Sequence, residues 1–160
     1  MSMKNEQILS IVERISEHYQ QNIANRYIRK VFSDLIIEKG TWEKIEKMTE
    51  TSEYERAQGY SFAEIYDGVY ALAGFIKKLR NEVAPNLRFM LGGQKTSGND
   101  KLLMEIAVCN FNDNLGILAD MVNELYMKTV EVDKAESGGK PPFYTKRPEL
   151  REVGKMLIQH

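Results

Sequence analysis

The glycine-rich stretch Gly92 to Gly98 contains the residue types that bind phosphate groups, because a lysine lies among its glycines and a helical pattern follows it. A Walker loop, however, needs a glycine directly before its lysine and a strand before the loop. Gln94 occupies the position before Lys95, the preceding residues indicate a helix, and Asp100 would repel an anion. We therefore interpret the stretch as a flexible surface loop, with Gly92, Gly93, Lys95 and Gly98 as its characteristic residues.

Nucleophilic and metal chemistry have few candidate residues in this chain. Cys109 is the one cysteine, and no basic group that could form its thiolate is close in sequence, so we expect a thiol packed in or beside the core. A carboxylate-bridged di-metal site needs Glu-x-x-His motifs on facing helices. Ile15 and Leu157 stand three residues before His18 and His160, so neither histidine belongs to such a motif. We predict no catalytic residue, no metal, no cofactor and no enzymatic function.

The densest polar cluster inside a helical pattern consists of Asn110, Asn112, Asp113 and Asn114. Such side chains compete with the helix for backbone hydrogen bonds, so their concentration needs an explanation. Three interpretations remain open. The side chains face solvent, they mark a local kink, or Asn110 and Asn114, one turn apart, form a buried network that fixes helix register or lines a ligand pocket.

The C-terminal segment mixes aromatic and basic residues, which together could stack on bases and neutralise phosphates. It is net basic, whereas the helix predicted before it is net acidic, so the segment could instead dock on that helix. Phe143 and Tyr144 would then fill an apolar groove, within the chain or on a neighbouring subunit. We favour docking. The nucleic-acid alternative would use Lys140, Phe143, Tyr144, Lys146, Arg147, Arg151 and Lys155.

The only tryptophan, Trp42, lies on the apolar face of a short, highly charged helical pattern. Tryptophan is enriched at binding hot spots, although a solvated helix with one apolar face would also explain it. The candidate interaction residues of the chain are therefore Trp42, Phe143, Tyr144, Lys146, Arg147 and Arg151.

The elements that must position these residues are amphipathic helices. Two apolar stripes at alternating spacings of three and four predict two long helices, each with a face that needs a partner helix. Ser61 and Glu64 form a capping box before the first, and Pro85 should end it with Ala84 extended. The first stripe is Phe62, Ile65, Val69, Leu72, Ile76, Leu79 and Val83; the second is Met104, Val108, Phe111, Leu115, Leu118, Val122, Leu125, Thr129 and Val132.

Further helices are predicted at both ends of the chain. The stripe Ile8, Val12, Ile15 and Tyr19 is separated by a five-residue step from Ala24, Ile28, Val31 and Leu35, so residues 5–38 form either one helix or two. The second long helix should run from about Asp100 to about Ala135, continuous through Gly116. After a glycine- and proline-rich linker, Pro148 suits the first turn of a short terminal helix.

Composition limits the classes of protein that the chain can belong to. Its 160 residues, 42% of them hydrophobic, suit one domain, and 22 basic against 23 acidic residues give no strong electrostatic case for nucleic-acid or membrane binding. No run of about 18 apolar residues could span a bilayer. One cysteine without a disulfide partner fits a reducing compartment, so we expect a cytoplasmic protein.

Together these patterns predict an all-α fold, a mainly antiparallel four-helix-type bundle with a short extra helix near Trp42 and a C-terminal tail helix. Residues 1–136 would form the bundle. Residues 137–160 would form a loop and a short basic helix that packs on the same domain or on a neighbouring subunit. The leading hypothesis for function is a non-enzymatic protein-interaction or scaffold module that forms homo-oligomers. The alternatives are a nucleic-acid-binding accessory protein and a small-molecule or metal-binding bundle.

Overall fold

The computed structural model describes residues 3–23, 62–85 and 98–158, in which all regular structure is helical. The predicted all-α class is confirmed, whereas the four-helix antiparallel arrangement stays a prediction. The stripe from Ala24 to Leu35, the helix at Trp42, the cap at Ser61 and the loop residues Gly92, Gly93 and Lys95 lie outside the described residues. The elements are α1 (Met3–His18), α2 (Phe62–Lys78), α3 (Gly98–Glu136), two 3-10 turns (Phe143–Lys146 and Pro148–Glu152) and α4 (Val153–Leu157), with π-helical turns at Tyr19–Ile23 and Leu79–Val83.

The apolar stripes of the sequence form the buried faces of these helices. α3 packs against both α1 and α2, and α4 packs on α2. Each fully buried aliphatic side chain contributes about 1.5–3 kcal/mol, so the stripes supply most of the force that assembles the core. The residues that line this shared core include Ile8, Val12, Ile15, Tyr19, Ile65, Val69, Leu72, Ile76, Leu79, Val83, Val108, Phe111, Leu115, Leu118, Val122, Leu125 and Val132.

α3 is the longest helix described, with 39 residues. It is continuous through Gly116, as the sequence predicts, and it begins at Gly98, two residues before the predicted start. Thr129 is the polar member of its stripe and is fully buried. Its hydroxyl Oγ1 donates to the carbonyl oxygen of Leu125 at 2.7 Å, so the side chain satisfies its own donor inside the helix.

The end of α2 differs from the prediction. Ala84 has φ −58° and ψ −46°, which is helical rather than extended, and its N–H donates to the carbonyl oxygen of Leu79 in the π-helical turn. The restriction that a proline imposes on the preceding residue is a preference. Here the burial of Ala84 and its backbone hydrogen bond outweigh that preference, and the helical geometry continues to Pro85.

None of the helices within residues 3–23, 62–85 and 98–158 has both the length and the apolar character that crossing a bilayer requires.

Candidate functional site

A buried carboxylate near the end of α3 holds the C-terminal part of the chain. Asp133 is 3% exposed. Its Oδ2 accepts hydrogen bonds from the Tyr66 hydroxyl at 2.7 Å and the Tyr144 N–H at 3.0 Å, and its Oδ1 accepts one from the Phe143 N–H at 2.9 Å. A carboxylate removed from water is costly unless such donors replace its hydration. These three hydrogen bonds therefore make Asp133 the polar centre of the site.

The local structure explains why these donors are available. The first N–H groups of any helical turn have no acceptor within that turn. Phe143 and Tyr144 begin the 3-10 turn, while the N–H of Thr145 donates inside the turn to the carbonyl of Pro142 at 3.1 Å. Pro142 itself is extended, with ψ 155°. The turn thus presents two consecutive N–H groups, and Asp133 accepts both.

A tight connection, residues 137–142, brings the turn back to the helix that carries Asp133. The N–H and the hydroxyl of Ser137 both donate to the backbone carbonyl of Asp133, at 3.1 and 2.5 Å. Gly138 and Gly139 have φ values of 57° and 89°, in the left-handed region that glycine adopts without strain. We call residues 137–142 the hinge.

Aromatic rings surround the carboxylate. The Tyr66 ring lies parallel to the Phe143 ring, with centroids 6.1 Å apart and an interplanar angle of 3°, and Tyr126 approaches it edge-on at 6.4 Å. Phe62 also stacks on Tyr66, with ring centroids 6.4 Å apart. Burial raises the pKa of the Tyr66 hydroxyl, and its hydrogen bond to Asp133 raises it further. Tyr66 therefore remains a hydrogen-bond donor across the neutral pH range.

Charged groups hold the rim of the site. The Arg147 guanidinium bonds Asp67 on α2 and, through Nε at 3.0 Å, Glu149. Its hydrogen bond to Glu149 is the largest cause that raises the pKa of Arg147, and the contact with Asp67 adds to it. On the far side, Arg80 donates to the carbonyl oxygen of Leu157 at 2.5 Å. Burial lowers the pKa of the Arg80 guanidinium, which Asp120 partly offsets.

Apolar side chains complete the attachment. Leu150, Val153 and Leu157 are buried in the same core that the long helices share. We call residues 143–157 the docked segment, and we call its binding site, formed by Phe62, Tyr66, Asp67, Tyr126 and Asp133, the receptor. The docked segment is thus held by a polar centre, an aromatic stack, a charged rim and an apolar anchor.

The candidate residues of the basic segment have unequal positions in this arrangement. Phe143, Tyr144 and Arg147 contact the receptor, and Lys134 lies with its Nζ 5.8 Å from the centroid of the Tyr144 ring. The exposed members are Lys140, Lys146, Arg151 and Lys155.

The other candidates lie apart from the receptor. Asn110 is exposed, so the burial that a register network or ligand pocket would require is missing there, and Asn114 is half-buried. It is the backbone carbonyl of Asn114 that faces Nε2 of His18, at 3.0 Å. The expectation of a packed thiol at Cys109 is wrong: this cysteine is exposed, because one residue after Val108 is a turn of about 100° away from the buried face.

Asp133, Tyr66 and Asp67 are the site residues that the sequence analysis missed. A second line at spacings of four and three, Phe62, Tyr66, Val69 and Ala73, runs beside the first stripe, and the equivalent line on α3 is Tyr126, Thr129 and Asp133. In the sequence, Asp133 is one of several acidic residues of a net acidic helix. Its position four residues after the stripe member Thr129 was the signal that it faces the core.

Within residues 3–23, 62–85 and 98–158, no group of three or more histidine, cysteine, aspartate or glutamate side chains is placed to hold a metal ion. The described residues thus form an all-α structure in which the C-terminal segment packs on the long helices around a buried carboxylate. Compared with known proteins, the chain matches no family model, no curated protein and no solved structure.

Proposed function

We propose that this chain is a non-enzymatic protein-interaction module that self-associates, with two copies exchanging their docked segments. In this proposal the bundle is of the mainly antiparallel four-helix type, the protein is cytoplasmic, and the homo-oligomer is the working form. The observation that carries the proposal is the receptor itself, a self-contained binding site for a segment that only the six-residue hinge connects to α3.

Exchange of an identical element between copies preserves every contact of that element, so its energetic cost is low. In this chain those contacts are the Asp133 hydrogen bonds, the Tyr66 stack, the Arg147 rim and the apolar anchor. The contacts that would change lie in the hinge, where Ser137 and Lys140 make backbone hydrogen bonds around the two glycines. The stability of an exchanged dimer therefore depends mainly on the conformation of the hinge.

The same contacts weaken the nucleic-acid alternative. Phe143 already stacks on Tyr66, so its ring is not presented to a base. Arg147 already bonds two carboxylates, which compete with any phosphate for its guanidinium. Phe143 and Arg147 are thus engaged within the chain, whereas Lys140, Lys146, Arg151 and Lys155 stay exposed.

Paired charge reversals test segment exchange in the full chain. Asp67→Arg and Arg147→Asp each place like charges at the rim when the segment docks on its own chain. In a mixed dimer with exchanged segments, each introduced charge faces an opposite one. Because Asp67 is half exposed, each restored pair is worth about 1 kcal/mol at most, so two pairs favour the mixed dimer by no more than roughly 30-fold.

The exposed thiol of Cys109 provides the readout, because donor and acceptor dyes can be attached to separate batches of chain. We expect light scattering to give a dimer mass for the unmodified chain, and energy transfer to rise when the two reversal variants are mixed. Arg151→Asp mixed with Asp67→Arg is the matched control, because Arg151 is an exposed arginine of the same segment. A monomer mass at all concentrations, with no energy transfer in the mixture, would reject segment exchange.

A further inference from the structure

We propose that the receptor also binds segments of other proteins, and that the docked segment is its built-in competitor. The ligand class is a peptide in which an aromatic residue follows a proline, begins a tight helical turn and precedes an arginine by four positions. This inference does not depend on self-association, because the receptor can take such a peptide as a monomer or as part of an oligomer.

The polar centre selects the backbone conformation of a bound peptide. Asp133 accepts two consecutive backbone N–H groups, which any residue except proline supplies. Only a peptide that enters extended and then turns presents both groups in the direction of the carboxylate, as the chain does after Pro142. Asp133 thus selects the start of a helical turn, in which the third N–H is already bonded.

The aromatic stack and the rim each select one side chain of a bound peptide. The parallel stacking of Phe143 on the buried Tyr66 ring demands a flat side chain at the first position of the turn. Four residues later, Arg147 bonds Asp67 of the receptor and Glu149 of the docked segment itself, with separate nitrogens of one guanidinium, so a peptide ligand needs the glutamate as well. A lysine offers a single charged nitrogen and cannot reproduce that geometry. The receptor therefore recognises an aromatic and an arginine at a fixed separation.

The docked segment keeps the receptor occupied. A short tether holds a ligand at an effective concentration in the millimolar range. A partner peptide must compete with the docked segment. Its apparent affinity is therefore the intrinsic affinity multiplied by the fraction of receptors that the docked segment leaves unoccupied. Weakening the docked segment should then strengthen the binding of a peptide added in solution.

The experiment measures the anisotropy of a fluorescent synthetic peptide that has the sequence of residues 140–158. It is titrated with the unmodified full chain and with a full chain that carries Phe143→Ala and Arg147→Glu. We expect the double variant to bind the peptide at least about tenfold more tightly, because its own segment competes less well. If the double variant does not fold, Arg147→Glu alone provides the comparison with an expected gain of about fivefold, since it changes only the rim.

Substitutions in the peptide test the recognition without affecting the fold of the protein. We expect Phe143→Ala in the peptide to reduce binding at least about tenfold, Arg147→Glu to reduce it about fivefold, and Arg147→Lys to reduce it less. Asp67→Lys in the protein should weaken the unmodified peptide and restore binding of the peptide that carries Arg147→Glu.

Two results would overturn the inference. The first is equal peptide affinity for the unmodified chain and the double variant. The second is an affinity that neither Phe143→Ala nor Arg147→Glu in the peptide changes. Peptide binding by a chain that stays monomeric would support the receptor and reject segment exchange. An exchanged dimer that binds no peptide would support segment exchange and reject peptide binding by the receptor.

Discussion

Replacing Asp133 by asparagine should weaken the hold on the C-terminal segment while leaving the shape of the side chain unchanged. An amide has one acceptor oxygen and one donor nitrogen, whereas the receptor needs acceptors at both positions. With the amide oxygen in the place of Oδ2, the bonds from Tyr66 and Tyr144 survive. The amide nitrogen then faces the N–H of Phe143, which is 2.9 Å from Oδ1 in the native protein. One partly buried donor therefore loses its acceptor in the best orientation.

The magnitude follows from that count. A buried donor left without an acceptor costs about 1–3 kcal/mol, and a hydrogen bond to a charged group contributes somewhat more than a neutral one. Asp133→Asn should therefore lower the free energy of unfolding by about 2–4 kcal/mol. Asp133→Ala leaves all three donors without an acceptor and should cost more, enough to unfold a domain of ordinary stability. The asparagine variant is consequently the one to measure.

Urea denaturation gives the free energy of unfolding, and hydrogen exchange of the Phe143 and Tyr144 amides shows whether the loss is at the receptor. We expect these two amides to lose protection more than the amides in the middle of α3. Asp113→Asn is the matched control, because it makes the same chemical change at an exposed position of α3 and should alter stability by less than about 0.5 kcal/mol. Equal stability of the two variants would refute the role assigned to Asp133.

Five further substitutions test the packing and the electrostatics. Folding raises the pKa of Tyr66, so above about pH 10 the unfolded chain loses the hydroxyl proton before the folded chain does. The free energy of unfolding should therefore fall there by about 1.4 kcal/mol per pH unit. Tyr66→Phe should remove that contribution, which urea titrations at pH 9–11 would measure. Gly116→Ala should raise the free energy of unfolding by about 0.5–1 kcal/mol, and with it the thermal midpoint, because a Cβ at this position meets no atom. Gly138→Ala should lower the free energy of unfolding by a similar amount, because Gly138 has a positive φ. Thr129→Val should change the free energy of unfolding by less than about 1 kcal/mol, since the Thr129 hydroxyl bonds only within its own helix. Leu118→Ala should lower the free energy of unfolding by about 2–5 kcal/mol, because it removes a fully buried side chain.

The helical faces could be predicted from the sequence because burial imposes a period on the chain. The members of the second stripe from Val108 to Val132 are buried, and so are those of the first from Ile65 to Val83. A stripe reports which side of a helix meets apolar neighbours, whatever those neighbours are. It does not report the pairing of helices, which depends on side-chain shape across the interface.

The receptor could be predicted only in part. The aromatic and basic residues of the tail indicated docking, but the acceptor that holds them is a single acidic residue in a helix rich in acidic residues. Asp133 and the exposed Asp113 are the same residue type on the same helix, and in the sequence only the position of each relative to the apolar stripe distinguishes them. Burial of a charged side chain becomes visible in a sequence only when its spacing from an apolar stripe is examined.

A carboxylate at the centre of the receptor fixes the register of the docked segment more than it adds stability. A buried charge compensated by hydrogen bonds often contributes little net free energy compared with an apolar side chain of similar size. An apolar residue at position 133, however, would tolerate a shift of the segment by one residue. With Asp133, such a shift offers the N–H of Thr145, which the turn itself already uses. The carboxylate accepts only the pair of N–H groups that begins the turn, and this places Phe143 on Tyr66 and Arg147 on Asp67 at the same time.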